Sequence, residues 1–226
     1  MIKKILFALI FIIPTLAAFA QGLTADDIAR LQMVSSAEIS EDGKMVAYTL
    51  MVPADPYKEN KPASYHLYVY NAETKQSLPF FTRGSARGVE FRPGHNSLTF
   101  LAKMDGDEVT SLYEASLSGG EARKIYSFET SISQYQWAPN GQKLAFIATE
   151  PQKEVEEEGK LPYEPILYEE NLTASRAYIV DVDKKIPTPV SINGDYHDIQ
   201  WKPDGKALAV AVAPTPLIDD YYMKQK

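Results

Sequence analysis

The sequence contains 226 residues, of which 45% are hydrophobic and 23% are charged, as in an ordinary globular protein of one or two domains. Its 30 acidic residues outnumber its 23 basic ones, and this acidic balance argues against a nucleic-acid-binding protein. The lack of cysteine excludes disulfides, thiol nucleophiles and thiolate metal sites, and three histidines leave little material for an imidazole metal site. We therefore expect no cofactor and no nucleic-acid partner.

The N-terminus has the pattern of a signal peptide. Lys3 and Lys4 precede an apolar run at residues 5–13, and Ala18-Phe19-Ala20 forms a small-x-small cleavage site before Gln21. The run is shorter than the roughly 20 residues of a membrane-spanning helix, although a retained membrane anchor is the alternative. We predict that residues 1–20 are removed and that the protein is exported, to the periplasm or the medium, with no membrane contact afterwards.

A short helix is predicted in the next segment, residues 21–35. Thr24 is suited to an N-cap, and Asp27 stands three residues further on. This spacing is that of a capping box, in which the two side chains bond to each other's backbone N–H groups.

A repeat organises the rest of the chain. Each copy reads as a large apolar residue, a turn and an alternating strand. The four copies align without gaps at residues 39–48, 91–100, 137–146 and 201–210. Asp42-Gly43, Asn140-Gly141 and Asp204-Gly205 suit tight turns that need a positive φ, whereas the second copy has His95 where the others have glycine.

The intervals between the copies predict a β-propeller. A four-stranded blade takes about 40–50 residues, which fits the first two intervals, and the third carries an insertion. Third strands are predicted at residues 66–71, 111–116 and 176–181. We predict an all-β fold with WD40-like or TolB-like repeats over residues 36–226. Its blades lie at residues 36–81, 86–128 and 132–191, with half a blade at 196–212.

Three and a half blades do not close a ring, because propellers need about four to eight. We therefore expect the chain to be the N-terminal portion of a longer protein. The second strand of the half blade, residues 206–212, is predicted to leave an unpaired apolar edge, and blade 1 is predicted to have one bare face. We expect this arc to fray at residues 196–226 or to aggregate.

The two long insertions, residues 52–63 and 150–174, both connect the second and third strands of a blade. In a four-stranded meander such loops lie on the same face of the disc, and long loops on a rigid scaffold are where binding usually resides. The alternative is that the acidic run at 154–158 is only a solvated excursion.

No catalytic constellation is found. Residues 84–88 read Gly-Ser-Ala-Arg-Gly, but the serine is one place early for a nucleophile elbow, and a strand-to-helix turn is not expected there. His66, His95 and His197 have no acid or hydroxyl partner at motif spacing, so we predict structural or surface roles for them. The acidic stretch at 105–108 fails the EF-hand spacing and is predicted to be a hairpin tip.

The order of these features resembles a known family. The helix at residues 23–31 continues through 34–48 into W-x-P-D-G-K repeats and the strand at 176–181. This resembles the start of the propeller in exported members of the prolyl oligopeptidase family, most of all the acylaminoacyl-peptidase and dipeptidyl-peptidase branches. In that family a C-terminal α/β-hydrolase domain holds a Ser-Asp-His triad, and the propeller restricts access to short peptides. None of the triad positions matches a residue of this sequence.

The same resemblance suggests one pair of substrate-binding residues. Some dipeptidyl peptidases capture the ammonium group of the substrate with two glutamates in a propeller insertion, and Glu169-Glu170 lies in such an insertion here. We expect no peptidase activity from these 226 residues alone, while the parent protein is expected to be a serine peptidase. The alternative is a non-enzymatic, TolB-like periplasmic propeller that serves as a protein-interaction module.

Overall fold

The computed structural model describes residues 22–152, residue 169 and residues 172–226, so the predicted signal peptide lies outside the described residues. Helix α1 (Ala25–Ala29) has the capping box predicted at its start. The Asp27 N–H donates to Thr24 Oγ1 at 3.1 Å, and the Thr24 N–H donates to Asp27 Oδ2 at 2.9 Å. The Thr24 hydroxyl also donates to Asp27 Oδ2 at 2.7 Å, and this bond together with that from the Thr24 N–H lowers the pKa of Asp27. The first strand begins at Met33, a few residues earlier than predicted.

Fourteen β-strands in the described part of the chain form four antiparallel sheets, and each sheet is a meander in chain order. Blade 1 contains β1 (Met33–Ile39), β2 (Met45–Val52), β3 (Ser64–Asn71) and β4 (Gln76–Phe81). Blade 2 contains β5 (Arg87–Phe91), β6 (Ser97–Ala102), β7 (Ser111–Ser116) and β8 (Arg123–Tyr126). Blade 3 contains β9 (Ile132–Trp137), β10 (Lys143–Thr149), β11 (Ser175–Asp181) and β12 (Pro187–Pro189). Blade 4 contains β13 (Asp195–Trp201) and β14 (Leu208–Ala213).

This architecture confirms the predicted fold class. The sheets are three complete four-stranded propeller blades and the first two strands of a fourth. The predicted third strands coincide with β3, β7 and β11, and the stretch at 105–108 is a hairpin tip between β6 and β7. At that tip, Asp107 accepts hydrogen bonds from Tyr113 and Lys124, which lower its pKa to about 2.

The turns of the repeat need a left-handed backbone residue, and the chain supplies it in two ways. Gly43, Gly141 and Gly205 have φ of 69°, 65° and 67°, as their Asx-Gly dipeptides predict. In the second copy the left-handed residue is Gly94, at φ 71°, one position earlier than in the other copies. Proline followed by glycine is the sequence of a type II turn, so His95 is tolerated in the next position.

The hydrophobic core lies between the blades. Leu67 of blade 1 clusters with Phe100 of blade 2, and Leu112 of blade 2 clusters with Phe146 of blade 3. A third cluster, which includes Ile199, joins blades 3 and 4. Full burial of such a side chain contributes about 1.5–3 kcal/mol, so each blade is stabilised mainly by its neighbours. We call these three interfaces seams 1/2, 2/3 and 3/4.

The polar centre of seam 2/3 is the buried Thr99 hydroxyl. Its oxygen accepts hydrogen bonds from the Tyr135 hydroxyl at 3.0 Å and from Trp137 Nε1 at 2.8 Å. Its own proton points to the Glu90 carbonyl at 3.4 Å. Every hydrogen-bonding capacity of this hydroxyl is thereby used, as burial requires.

Seam 2/3 also depends on a close approach between two turns. The Arg92 guanidinium lies 4.4 Å from the centre of the Trp137 ring, and its Nε donates to the Gly141 carbonyl at 3.1 Å. The Gly141 Cα faces the Pro93 carbonyl so closely that a methyl group there would overlap it. Glycine is therefore required at 141 by space as well as by φ.

Among the described residues, no blade packs against the face of blade 1 that points away from blade 2. All seven residues of β1 are exposed, although Met33, Val34 and Ile39 are apolar. The equivalent residue to Ile39 in blade 3 is Trp137, which is only 4% exposed. The bare face predicted for blade 1 is confirmed.

The open edge predicted at residues 206–212 needs correction. The strand covers Leu208–Ala213, and it is followed by a helix, α2 (Ile218–Lys224), that the sequence analysis did not predict. The chain then returns, and Lys226 exchanges two backbone hydrogen bonds with Val212, at 2.8 and 2.9 Å. The edge is therefore closed at its C-terminal end, because α2 brings the terminal residues back beside β14.

Helix α2 is held to blade 4 by an aromatic contact, and polar contacts fix the helix to the segment that leads into it. The Tyr221 ring lies 4.3 Å from the His197 ring of β13, centre to centre. The buried Asp220 carboxylate accepts from Thr215 Oγ1 and from Lys224 Nζ, both at 2.7 Å, and these bonds lower its pKa. Neither helix in the described ranges is long and apolar enough to span a membrane.

Substitution of Gly141 by alanine tests the seam. Gly43→Ala is the matched control, because it has a similar φ but open space around its Cα. Both substitutions should lower the free energy of unfolding by about 1–2 kcal/mol, because alanine is strained in the left-handed backbone conformation. Gly141→Ala should lose at least about 1 kcal/mol more, because Pro93 must move. Equal losses in urea-induced unfolding would show that the close approach does not contribute.

Substitution of Tyr221 by alanine tests the attachment of α2. Without the contact with His197, Lys226 should leave the strand edge, and the Val212 amide should exchange its hydrogen at least about tenfold faster. Tyr222→Ala is the control, because Tyr222 is 73% exposed. If both variants exchange like the wild type at Val212, Tyr221 does not hold the C-terminal segment.

Candidate functional site

One face of the arc carries the strand 2–3 loops together with the connections between blades. The start of each connected blade is tied to the neighbouring loop: the Ala86 N–H donates to the Tyr65 carbonyl at 2.8 Å, and the Ile132 N–H donates to the Thr110 carbonyl at 3.1 Å. Residues 53–63 of the first long insertion and the described ends of the second, 150–152 and 172–174, lie on this face, and the segment with α2 follows β14 on the same side. We call this surface the loop face. It comprises residues 53–63, 103–110, 150–152 and 172–174, the connections 82–86, 127–131 and 190–194, and residues 214–225.

The base of the longest loop is firmly closed. The Glu150 N–H donates to the Ala174 carbonyl at 2.9 Å. Arg176 of β11 donates to Glu150 Oε2 at 3.1 Å and to the Gly194 carbonyl at 2.7 Å, so it joins blade 3 to the connection with blade 4. The Ser175 N–H donates to Asp195 Oδ1 at 2.6 Å. The loop therefore leaves a rigid platform that two blades share.

The predicted glutamate pair falls within this loop. Glu169 is exposed and has a left-handed backbone, with φ of 60°. Glu170 and the acidic run at 154–158 lie outside the described residues. The pairing of the two carboxylates therefore stays a prediction.

His197 has an acidic partner that sequence reasoning missed. Its Nε2 lies 2.9 Å from Asp195 Oδ2, but the approach is too bent for a hydrogen bond. The two residues stand two apart in β13, and His197 is the extra residue of a bulge in the pairing with β14. Regular strand alternation therefore gave no signal for this contact. Since the ring also contacts Tyr221, the pair attaches α2 to the blade, which fits the structural role predicted for His197.

The first strand of each blade, which is its inner strand, carries a polar side chain that recurs with the repeat. The residue before the large apolar residue is Glu38 in blade 1, Glu90 in blade 2, Gln136 in blade 3 and Gln200 in blade 4. Glu90 and Gln136 both accept the N–H of the tryptophan that ends the first strand of the next blade. Glu90 and Gln136 therefore join successive blades on the face of the arc that lies opposite the loop face.

Glu90 has the most perturbed carboxyl of this set. Its burial raises the pKa to about 7, and the nearby Glu38 adds to the increase. The hydrogen bond from the Trp137 N–H acts in the opposite direction. Burial also raises the pKa of Glu38. A carboxyl that titrates near neutral pH is a candidate functional group, although the structure places this one in a seam.

An open depression of about 760 Å³ lies over the turns of blades 1 and 2. It is lined by charged groups of both signs, among them Glu38, Asp42 and Arg92, and by apolar Phe91. Within the residues that the structure describes, no three histidine, aspartate or glutamate side chains come together in a way that could hold a metal ion. In the depression the Ser40 hydroxyl donates to Asp42 at 2.7 Å, and this bond lowers the pKa of Asp42, so that carboxylate is a weak base.

Comparison with known proteins gives one curated relative and many similar structures. No family model matches the chain. The chain is 27% identical over 215 residues to an uncharacterized peptidase, YuxL, of Bacillus subtilis (strain 168), across 87% of this chain and 32% of the relative. It therefore spans about a third of the length of the relative that it matches.

The similar structures are propeller proteins at low sequence identity. An acylaminoacyl peptidase from Pyrococcus horikoshii matches with a TM-score of 0.60 and 13% identity, over 83% of this chain and 29% of that one. The β-propeller domain of the Trilobed protease from Pyrococcus furiosus matches with a TM-score of 0.53 and 14% identity, over 80% and 49%.

TolB from Acinetobacter baumannii matches to a similar degree, with a TM-score of 0.52 and 14% identity, over 78% of this chain and 37% of that one. At these identities the structures show the fold alone. Together with the curated relative, they confirm the resemblance seen in the sequence: the chain is similar to the propeller portion of peptidases of the prolyl oligopeptidase family.

Proposed function

We propose that this chain is the propeller portion of an exported serine peptidase that acts on short peptides. The similarity to a peptidase across 87% of the chain supports this proposal. The share of that relative which the chain spans, 32%, leaves room there for a hydrolase domain. In this proposal the propeller admits short peptides to the hydrolase domain and excludes folded proteins.

The observation that carries the proposal is the construction of the loop face. The long insertions leave a scaffold whose blades are fixed by buried seams. The base of the second is tied to the connection with blade 4 through Arg176, Ser175 and Asp195, and the base of the first is tied to the connection with blade 2 by the Ala86 N–H. Such a platform can hold variable loops at constant positions, which is how rigid β scaffolds present binding loops. The loop face is therefore the surface that we assign to the substrate side.

Glu169 and Glu170 belong to the insertion whose ends lie on that surface, and they are proposed to bind the free ammonium group of the peptide. Two carboxylates can accept charge-assisted hydrogen bonds from one –NH₃⁺ group, and each such bond contributes more than a neutral one. The exposure of Glu169 supports this role.

A TolB-like interaction module is the second candidate. The match to TolB, over 78% of this chain, favours it to a similar degree as the peptidase structures. In this case the loop face would bind a protein rather than a peptide in transit. The reading frame that encodes the chain distinguishes the two: a nucleophile elbow with a following aspartate and histidine supports the peptidase, and further repeats up to the stop codon support the module.

Export is part of the proposal, and it rests on the sequence pattern of residues 1–20. If the chain is expressed with its own N-terminus in a bacterium, the periplasmic or secreted product should begin at Gln21. A product that keeps Met1 and stays with the membrane would support the retained anchor instead.

The peptidase role is tested on the protein encoded by the full reading frame. We expect it to cleave short chromogenic peptides, whereas residues 21–226 alone should give only the uncatalysed rate. Glu169→Gln combined with Glu170→Gln should raise KM at least about tenfold for peptides with a free N-terminus, because two ionic hydrogen bonds are lost.

The matched control is the same peptide with an acetylated N-terminus, whose KM should not change. An equal effect on both peptides would show that the glutamates act on the loop and not on the ammonium group. Lack of cleavage of every short peptide by the full-length protein would contradict the peptidase role itself.

A further inference from the structure

Two seams of the propeller use the same hydrogen bond with different acceptors. At seam 2/3, Glu90 Oε2 accepts the Trp137 N–H at 3.2 Å. At seam 3/4, Gln136 Oε1 accepts the Trp201 N–H at 2.5 Å. Glu90 and Gln136 occupy equivalent positions of the repeat, so one seam contains a titratable acceptor where the next contains a neutral one.

The surroundings of Glu90 disfavour a negative charge. The carboxyl is half-buried, and Glu38 approaches from β1 of blade 1. From β9, the Tyr135 side chain faces it, and burial together with the charge of Glu90 raises the pKa of that phenol, so it stays neutral. Arg92 follows just after the end of β5, but its hydrogen bonds go to Glu114 at 3.0 Å and to the Gly141 carbonyl.

We propose that seam 2/3 is a pH-dependent latch, which is closed while Glu90 is protonated and opens more readily once Glu90 is ionised. The ionised carboxylate loses hydration in the closed seam and is repelled by Glu38, and opening the seam relieves both. Seam 3/4 does not respond to pH in this way, because Gln136 has no charge to gain.

The direction of the effect follows from linkage. In the closed seam the pKa of Glu90 is about 7, against an ordinary value of 4.5. The proton therefore binds more tightly to the closed seam than to the open one. The stability that this proton provides is fully present below about pH 4.5, decreases as the pH rises towards 7, and is absent above that.

The opposite end of the same seam is neutral. There the Ile132 N–H donates to the Thr110 carbonyl, and the Thr110 N–H donates to Ser131 Oγ at 3.0 Å. We therefore expect ionisation of Glu90 to loosen the end near the turns and to leave the loop face closed. This inference does not depend on the proposed peptidase role.

Amide hydrogen exchange at the two tryptophans tests the proposal on the full 226-residue chain. Their N–H groups lie on the inner edge of β9 and β13, outside the strand ladders, so their protection reports the two seam bonds directly. From pH 5 to pH 8, after correction for the intrinsic exchange rate, protection of Trp137 should fall at least about tenfold. Protection of Trp201 should stay constant.

Variants assign the effect to Glu90. Glu90→Gln makes seam 2/3 chemically equivalent to seam 3/4, and the decrease at Trp137 should disappear. Glu38→Gln removes the charge that repels Glu90, so the decrease in protection at Trp137 should become smaller. Because Glu38 is exposed, the fold should be retained. His95 lies beside Gly141 at the same seam, and His95→Gln should leave the decrease unchanged.

The proposal is overturned if Trp137 and Trp201 lose protection in parallel, since that would indicate a general loosening of the propeller. It is also overturned if the decrease at Trp137 persists in Glu90→Gln or disappears in His95→Gln. If Glu90→Gln does not fold, an unchanged decrease in Glu38→Gln counts against the latch.

Discussion

Each blade of this protein has two apolar faces, and a four-stranded sheet cannot bury both by itself. The faces are covered only by neighbouring blades, and the packing repeats along the chain. The ring centre of Phe81, at the end of blade 1, lies 4.9 Å from that of Phe100 in blade 2. In the same way, the ring centre of Phe128, after blade 2, lies 5.2 Å from that of Phe146 in blade 3. Stability therefore resides in the seams, and every other feature of the structure depends on their geometry.

The seams also determine where polar groups are tolerated. Thr99 is completely buried, and it remains acceptable because two aromatic donors and one backbone carbonyl use its hydroxyl fully. Glu114 is nearly buried as well, and it is bound by Arg92, Arg123 and Ser97. Glu90 differs from both, because its described hydrogen bond comes from one backbone N–H while a second carboxyl lies nearby. Its charge is therefore the least compensated in the seams.

The periodic part of the fold could be predicted from the sequence, because the same physical requirement recurs in each copy. The turn glycines, the capping box at Thr24 and the third strands follow from local chemistry of this kind. Helix α2 could not be predicted in this way. It has no side-chain cap at Leu217, and a helix of seven residues needs further contacts, which here come from the ion pair of Lys224 with Asp220 and from the packing of Tyr221 on His197.

Site residues were missed where their role depends on contacts between repeats and not on local chemistry within one repeat. Glu38, Glu90 and Gln136 stand at one position of the aligned repeat, but the alignment does not show that this position faces the next blade. The relation between Asp195 and His197 depends on a bulge in β13 and on the contact with Tyr221, which lies well separated in the sequence. Interactions between repeats require the twist and spacing of the blades, and these are properties of the assembled arc.

In this propeller, the two ends of the first strand of a blade bond to the neighbouring blade in different ways. At the loop face, backbone bonds such as that between Ile132 and Thr110 join the blades through groups that do not titrate. At the opposite end, the bond to the next blade passes through a side chain, and its strength depends on whether that side chain is Glu or Gln. Substitution at this one position can therefore adjust how tightly a seam closes without moving the loops. The change from Glu90 to Gln136 along the chain shows that the fold accepts either residue there.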